Sequence, residues 1–180
     1  MQKNNTKILH IMHSEIGGAG DIALNLHSFE KKLFRTEYLL TGPRIFYGFK
    51  KKIRSLNKKV YYEKIEKGLH FFKIFNVIKK INIINPDIII LHNYQVIPSL
   101  YFKLLKKKKI IFIDHMSIKL KRWKDYFSIL LSGFFFDKIV FLNKENYEKF
   151  NYINNSKKKI IENSANDFLL KKKIFKKKKY

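Results

Sequence analysis

Gly17-Gly18-Ala19-Gly20 is the first stretch whose residue types suggest chemistry. An apolar run, Lys7 to His13, leads into it. A segment with Ile22, Leu26, Phe29 and Leu33 at i, i+4, i+7 and i+11 follows, which is one face of a helix. Glycines let the main chain turn sharply and approach a ligand with no Cβ in the way. The helix start then offers free N–H groups and the positive end of a dipole to an anion. Asp21 is placed to open that helix as a cap. The glycines do not spell GxGxxG, and no GxxxxGK[ST] occurs. The turn alone therefore fits a tight βα connection that binds nothing as well as a phosphate cradle.

Two polar pairs follow short apolar runs. His92-Asn93 comes after Asp87-Ile88-Ile89-Ile90-Leu91, and Asp114-His115 comes after Ile110-Ile111-Phe112-Ile113. Unbroken runs of this kind belong to strands buried on both faces of a parallel sheet. Their carboxyl ends are where α/β sheets place ligands. His10, His13 and His92 lie in or beside apolar strands and also read as satisfied packing residues. Asp114 either orients His115 or caps a helix.

The elements that must position these residues alternate. The spacing predicts strands at 37–41, 60–63, 139–142 and 159–162 besides those already named. Between them lie helices at 69–84, 97–105 and 144–150, and one marked by Trp123, Tyr126, Phe127, Leu130 and Phe134. In the first of these, Phe71, Phe75, Ile78 and Ile81 form the face expected in the core. Asn85-Pro86 ends that helix, Pro98 opens the next in its first turn, and Asn143 is a cap for the last. Residues 44–59 read as a loop with partial helix, and 169–180 as a frayed lysine-rich tail. The whole is an α/β, Rossmann-like, doubly wound, mostly parallel sheet in a single domain.

Composition narrows the chemistry. The chain has 180 residues, no cysteine and no HExxH, which excludes disulfides and thiolate catalysis and gives no metal site. The formal charge of +25 suggests nucleic acid, yet of 39 basic residues only Arg35, Arg44, Arg54 and Arg122 are arginine. Nucleic-acid readers favour the arginine fork, and Lys, Ile, Asn, Phe and Tyr all have A/T-rich codons. Nucleic acid is therefore disfavoured as a partner. An anionic membrane surface suits Lys50 to Lys52, Lys106 to Lys109 and Lys171 to Lys173 better, at about 1 kcal/mol per well-placed lysine. The most apolar run, Tyr126 to Phe136, is too short to span a bilayer, and Met1 to Thr6 does not open a signal peptide. The expectation is a cytoplasmic protein, peripheral to the inner face of the membrane.

Taken in order, these features resemble the N-terminal domain of family-4 glycosyltransferases of the GT-B architecture, over about residues 7–168. The resemblance rests on the Gly17–Gly20 turn and its helix, Pro86-Asp87-Ile88-Ile89 running into His92-Asn93, the strand ending in His115, Asp137-Lys138-Ile139-Val140 running into Asn143, and Ile160-Ile161-Glu162-Asn163. Two positions depart from the family pattern. Asn143 stands where Ser or Thr is usual, and Ser164 where glycine follows Asn163. The resemblance implies transfer of a sugar from a nucleotide-sugar to a glycan or lipid-linked acceptor, with no metal or other cofactor. It casts His115 as the cleft residue on the transferred sugar, and Gly17, Gly18, Gly20, His92, Asn93 and Asn163 as substrate-binding residues. A neutral imidazole can hydrogen-bond a hydroxyl and hold its geometry.

The same resemblance implies a domain over 1–168, a truncated linker over 169–180, and a donor-binding C-terminal domain that this chain lacks. The expected protein is the acceptor-side half of a hexosyltransferase type of enzyme for polysaccharide biosynthesis. It would be inactive alone and would need a separate donor-domain chain, because water would otherwise reach the reacting centre. Two alternatives stand beside it. One is a truncated, inactive transferase fragment. The other is a basic Rossmann-like module that binds nucleic acid or anionic membrane.

Overall fold

The computed structural model describes residues 6–14, 20, 22–24, 26, 33–54, 58–66, 71–93 and 95–161. Seven strands are described: β1 Lys7–His13, β2 Arg35–Gly42, β3 Val60–Lys64, β4 Ile88–His92, β5 Lys109–Asp114, β6 Lys138–Phe141 and β7 Lys158–Ile160. They form one sheet in the order β3-β2-β1-β4-β5-β6-β7, and every pairing is parallel. The chain winds outward from β1 in one direction, then returns to β4 and winds the other way. The switch point of this Rossmann-like sheet therefore falls between the carboxyl ends of β1 and β4.

Five α-helices have their bounds within the described residues: α1 Tyr47–Arg54, α2 Phe71–Ile84, α3 Val96–Leu104, α4 Trp123–Phe135 and α5 Lys144–Lys149. One face of the sheet carries Leu9, Ile11, Leu91, Phe112, Ile139 and Phe141, packed against α2 to α5 through Val77, Ile81, Phe102, Ile129 and Phe150. The other face carries Ile8, Met12, Tyr38, Leu40, Ile90, Ile113 and Val140, covered by Phe49 and Ile53 of α1 and by helical residues Ala23, Leu24 and Leu26. Burial on both faces is why β4 and β5 read as unbroken apolar runs. Each fully buried Ile or Leu contributes about 1.5–3 kcal/mol of transfer energy.

One sequence expectation changes and one gains detail. Residues 44–59 hold the partial helix expected there, α1, and its Phe49 and Ile53 are core residues at 1% and 2% exposure. In α2 the buried face is Val77, Ile81 and Ile84, whereas Phe75 is 67% exposed. This helix is apolar over more than one face, so spacing alone does not choose which stripe meets the sheet. Asn143 caps α5 as expected, its Oδ1 accepting the Asn146 N–H at 2.7 Å. Glu162, at the end of the strand expected at 159–162, lies outside the described residues.

Candidate functional site

Asp114, the last residue of β5, and His115, the next, point to opposite faces of the sheet, continuing the strand's alternation. On the α4–α5 face, Asp114 is almost fully buried and pairs with the buried Lys121 ammonium at 2.8 Å. The Nδ2 of Asn146 donates to Asp114 Oδ2 at 2.8 Å and to the Met116 carbonyl at 2.6 Å. Lys121 also donates to the Met116 carbonyl, and the Met116 N–H reaches Asp114 Oδ1 at 3.3 Å. Burial raises the Asp114 carboxyl above its ordinary value, against the opposing pull of Lys121 and the Met116 and Asn146 donors. This network ties residues 114–121 to α5. The partners of Asp114 are neither the His115 ring nor a first-turn helix N–H, so it fills neither role weighed from the sequence and instead anchors this loop.

On the opposite face, three imidazoles climb the sheet. His10 Nδ1 lies 2.9 Å from His92 Nε2, and His92 Nδ1 lies 2.9 Å from His115 Nε2. The register explains the climb. His10 stands opposite Ile90 and His92 opposite Ile113, so each histidine sits two residues further toward the carboxyl rim than the last. The His10 and His92 rings stack with centroids 5.2 Å apart, His115 lies tilted against His92 at 5.0 Å, and Tyr38 stacks on His10 at 5.3 Å. His10 and His92 are fully buried.

His115 is the partly exposed top of this column. Its Nδ1 is buried and has no hydrogen-bond partner among the described residues. Burial lowers the His115 pKa to about 4. His92 is held well below the ordinary value by burial, with His10 and His115 adding to the effect. Both rings are therefore neutral at physiological pH, and the buried His115 Nδ1 is left without a hydrogen-bond partner among the described residues.

Asn93 fixes the backbone beside it. Its Oδ1 accepts the His115 N–H at 3.0 Å, and it sits at φ +62°, a left-handed conformation that asparagine tolerates. Asn93 thus joins the ends of β4 and β5. His92, read from sequence as a substrate contact, has both ring nitrogens engaged by other histidines and reaches the rim only through His115. Gly20 begins the described helical residues after β1, and a Cβ there would lie 2.6 Å from Phe49 Cε2. Its lack of a side chain lets that segment pack against α1. Gly17, Gly18 and Asn163 lie outside the described residues.

At the end of β2, Gly42 has φ +151°, and an added Cβ would fall 2.3 Å from Ser14 Oγ. That close approach lets Ser14 Oγ donate to the Arg44 carbonyl at 2.5 Å and seats the end of β1 against β2. Sequence reasoning did not find the role of His10 or the anchoring by Lys121 and Asn146. Histidine within the buried run of β1 was the available signal, since a polar ring in such a place needs partners. Among the described residues no group is arranged to hold a metal ion, and no helix is long and apolar enough to cross a membrane. A cavity of about 250 Å³ between α4 and the segment that leads into β7, lined by Leu130, Gly133, Phe134 and Tyr152 among others, includes none of the three histidines.

A sheet of this order, with its switch point at β1 and β4, defines a Rossmann-like domain of the kind that makes up half of a GT-B protein. No protein-family model matches the sequence, and no curated protein matches it. Solved structures do match in fold. HepE from Anabaena, solved with UDP and glucose, superposes with a TM-score of 0.68 at 12% identity, over 88% of this chain and 44% of that one. The lipopolysaccharide outer core galactosyltransferase WaaB gives 0.61 at 18% identity, over 88% and 46%. UDP-N-acetylglucosamine 2-epimerase from Rickettsia bellii gives 0.65 at 13% identity, over 98% and 49%. The chain spans less than half the length of these proteins. At such identities the likeness establishes the fold, shared by GT-B glycosyltransferases and UDP-N-acetylglucosamine 2-epimerases.

Proposed function

We propose that this chain is the acceptor-side half of a family-4-like glycosyltransferase, which handles a nucleotide-sugar together with a donor-binding half. The observation that carries the reading is the unspent Nδ1 of His115, a neutral ring at the carboxyl rim beside the switch point of a half-GT-B sheet. A neutral imidazole there can hold a sugar hydroxyl without repelling or protonating it. Asn93 sets the height of that ring. Gly17, Gly18 and Gly20 would bring main-chain N–H groups to a phosphate or polarised oxygen, and Asn163 would add a substrate contact.

The domain runs over 1–168 in this proposal. Catalysis needs the second half to exclude water. Trp123, Phe127 and Phe134 stand exposed on α4 beside Lys124, which supports contact with an anionic membrane where a lipid-linked acceptor would lie.

The test supplies a donor-binding GT-B half and UDP-sugars, and measures sugar transfer and UDP release. His115→Ala is expected to lower turnover at least tenfold while circular dichroism and the melting transition stay near those of the parent. Unfolding by His115→Ala would assign the residue to packing and remove it from the site. A second reading comes from the epimerases among the structural neighbours. On that reading UDP-N-acetylglucosamine exchanges a solvent proton at its sugar C2, and deuterium incorporation without transfer would favour it.

A further inference from the structure

His10 on β1, His92 on β4 and His115 just past the end of β5 are joined by two N···N hydrogen bonds of 2.9 Å each. A neutral imidazole has one N–H and one lone pair, on different nitrogens. Each bond in the column needs one of each. Suppose His115 Nε2 donates to His92 Nδ1. Then His92 carries its proton on Nε2 and donates to His10 Nδ1, which must be a lone pair. His115 then presents a lone pair at Nδ1. Suppose instead that His10 Nδ1 donates to His92 Nε2. Then His92 Nδ1 donates to His115 Nε2, and His115 presents an N–H at Nδ1. Either way, every neutral ring carries its proton on the same-named nitrogen.

Disagreement between neighbours would set two lone pairs or two N–H groups against each other in a buried site, with the loss of a hydrogen bond that no water can replace. A cationic ring would escape the rule, but burial disfavours that at both His92 and His115. We propose that His10, His92 and His115 form one tautomeric unit, in which buried His10 sets whether His115 meets a ligand hydroxyl as hydrogen-bond donor or as acceptor. His10 and His92 are then positioning residues that act through His115. A hydroxyl can take either part, so the column decides the orientation of its O–H and hence which of its other contacts are available. The sugar as occupant rests on the proposed function, whereas the tautomeric coupling is a property of the ligand-free chain.

The experiment uses the full chain, labelled with ¹⁵N-histidine, at neutral pH and without ligand. Long-range ¹H–¹⁵N correlation reads the tautomer of each ring, and ¹⁵N–¹⁵N couplings across the hydrogen bonds read the contacts. The expected result is one shared tautomer for His10, His92 and His115, with a coupling across each of the two bonds. Opposed tautomers in any neighbouring pair would overturn the proposal, as would absence of either coupling. In His10→Phe, the His115 ring nitrogens are expected to shift from those of a single tautomer toward the average of two. Unchanged His115 shifts in a folded His10→Phe protein would show that His10 does not set them. If that variant does not fold, the wild-type tautomers and couplings decide alone. Neither outcome depends on sugar transfer, so failure here leaves the transferase reading standing, and failure of that reading leaves the column.

Discussion

Asp114 and His115 are adjacent in sequence, yet each heads a buried polar group of opposite character. Asp114 belongs to a charged cluster that fastens a loop: one carboxylate, one ammonium, and an amide that reaches both the carboxylate and a carbonyl. His115 belongs to an uncharged column that ends in an unspent nitrogen. The first holds residues 114–121 in place, and the second leaves one buried ring nitrogen without a partner among the described residues. Anchoring and presentation are thus separated by one residue and the thickness of the sheet. This is how a strand end can be rigid and still carry chemistry.

Breaking the charged side has the largest expected effect. Lys121→Met removes the cation and leaves Asp114 buried beside apolar surface. Loss of one member of a buried pair costs about 3–5 kcal/mol, and that loss should appear in urea unfolding. Changing both residues together, Asp114→Leu with Lys121→Met, should cost less than Lys121→Met alone, because no charge is then stranded. If Lys121→Met unfolds at the parent's midpoint, the cluster is not holding the loop.

The sequence made one of these sides easier to see than the other. The strands of the sheet were legible because burial on both faces demands unbroken apolar runs, as in Ile88 to Leu91 and Ile110 to Ile113. The Asn143 cap was legible because its chemistry is local. His92, Asn93 and His115 stood out by their place at strand ends. Their relation to His10 did not, because it depends on register: residues 82 and 23 positions apart meet only once β1, β4 and β5 are aligned. Lys121 does not stand out among many lysines, since nothing local marks a lysine whose ammonium is buried. Phe75 was assigned to the core because α2 has more apolar residues than one face can hide.

Acid should separate the two sides by the sign of their response. The folded pKa of His115 is about 4 against 6.5 for a free ring, so between these values the unfolded chain binds more protons than the folded one. Stability from this ring is complete above pH 6.5 and is lost as pH falls toward 4, on the order of 3 kcal/mol. His92, also lowered, adds loss in the same direction. Asp114 has the opposite sign. Its raised pKa means that the folded state takes up its proton first, so this group adds stability as pH falls through its folded pKa toward the ordinary carboxyl value. Unfolding free energy measured from pH 7.5 to 4.5 should therefore fall in the parent, and fall less in His115→Phe. Equal slopes in the two proteins would show that the ring is not held neutral by the fold.

Gly20→Ala tests how the covering of the histidine face is seated. The new Cβ would press on Phe49, itself 1% exposed, and overpacking of this kind costs about 1–3 kcal/mol. Phe49→Leu in the same chain should recover part of the loss by opening room. In nuclear magnetic resonance spectra, the disturbance should reach Met12, Tyr38 and Ile53 on that face and spare Asn146 on the other.

The smallest expected effect comes from the opposite face. Asn143→Ala removes the cap of α5, whose first turn brings Asn146 to Asp114, at a cost of about 1 kcal/mol. Because α5 touches the column only through the sheet, the variant should move the Asn146 side-chain amide and Met116 N–H resonances while leaving the His92 and His115 ring nitrogens where they were. Movement of the ring nitrogens by this distant, mild change would mean that the two sides of β5 are coupled through the strand. In that case anchoring and presentation would be one function rather than two.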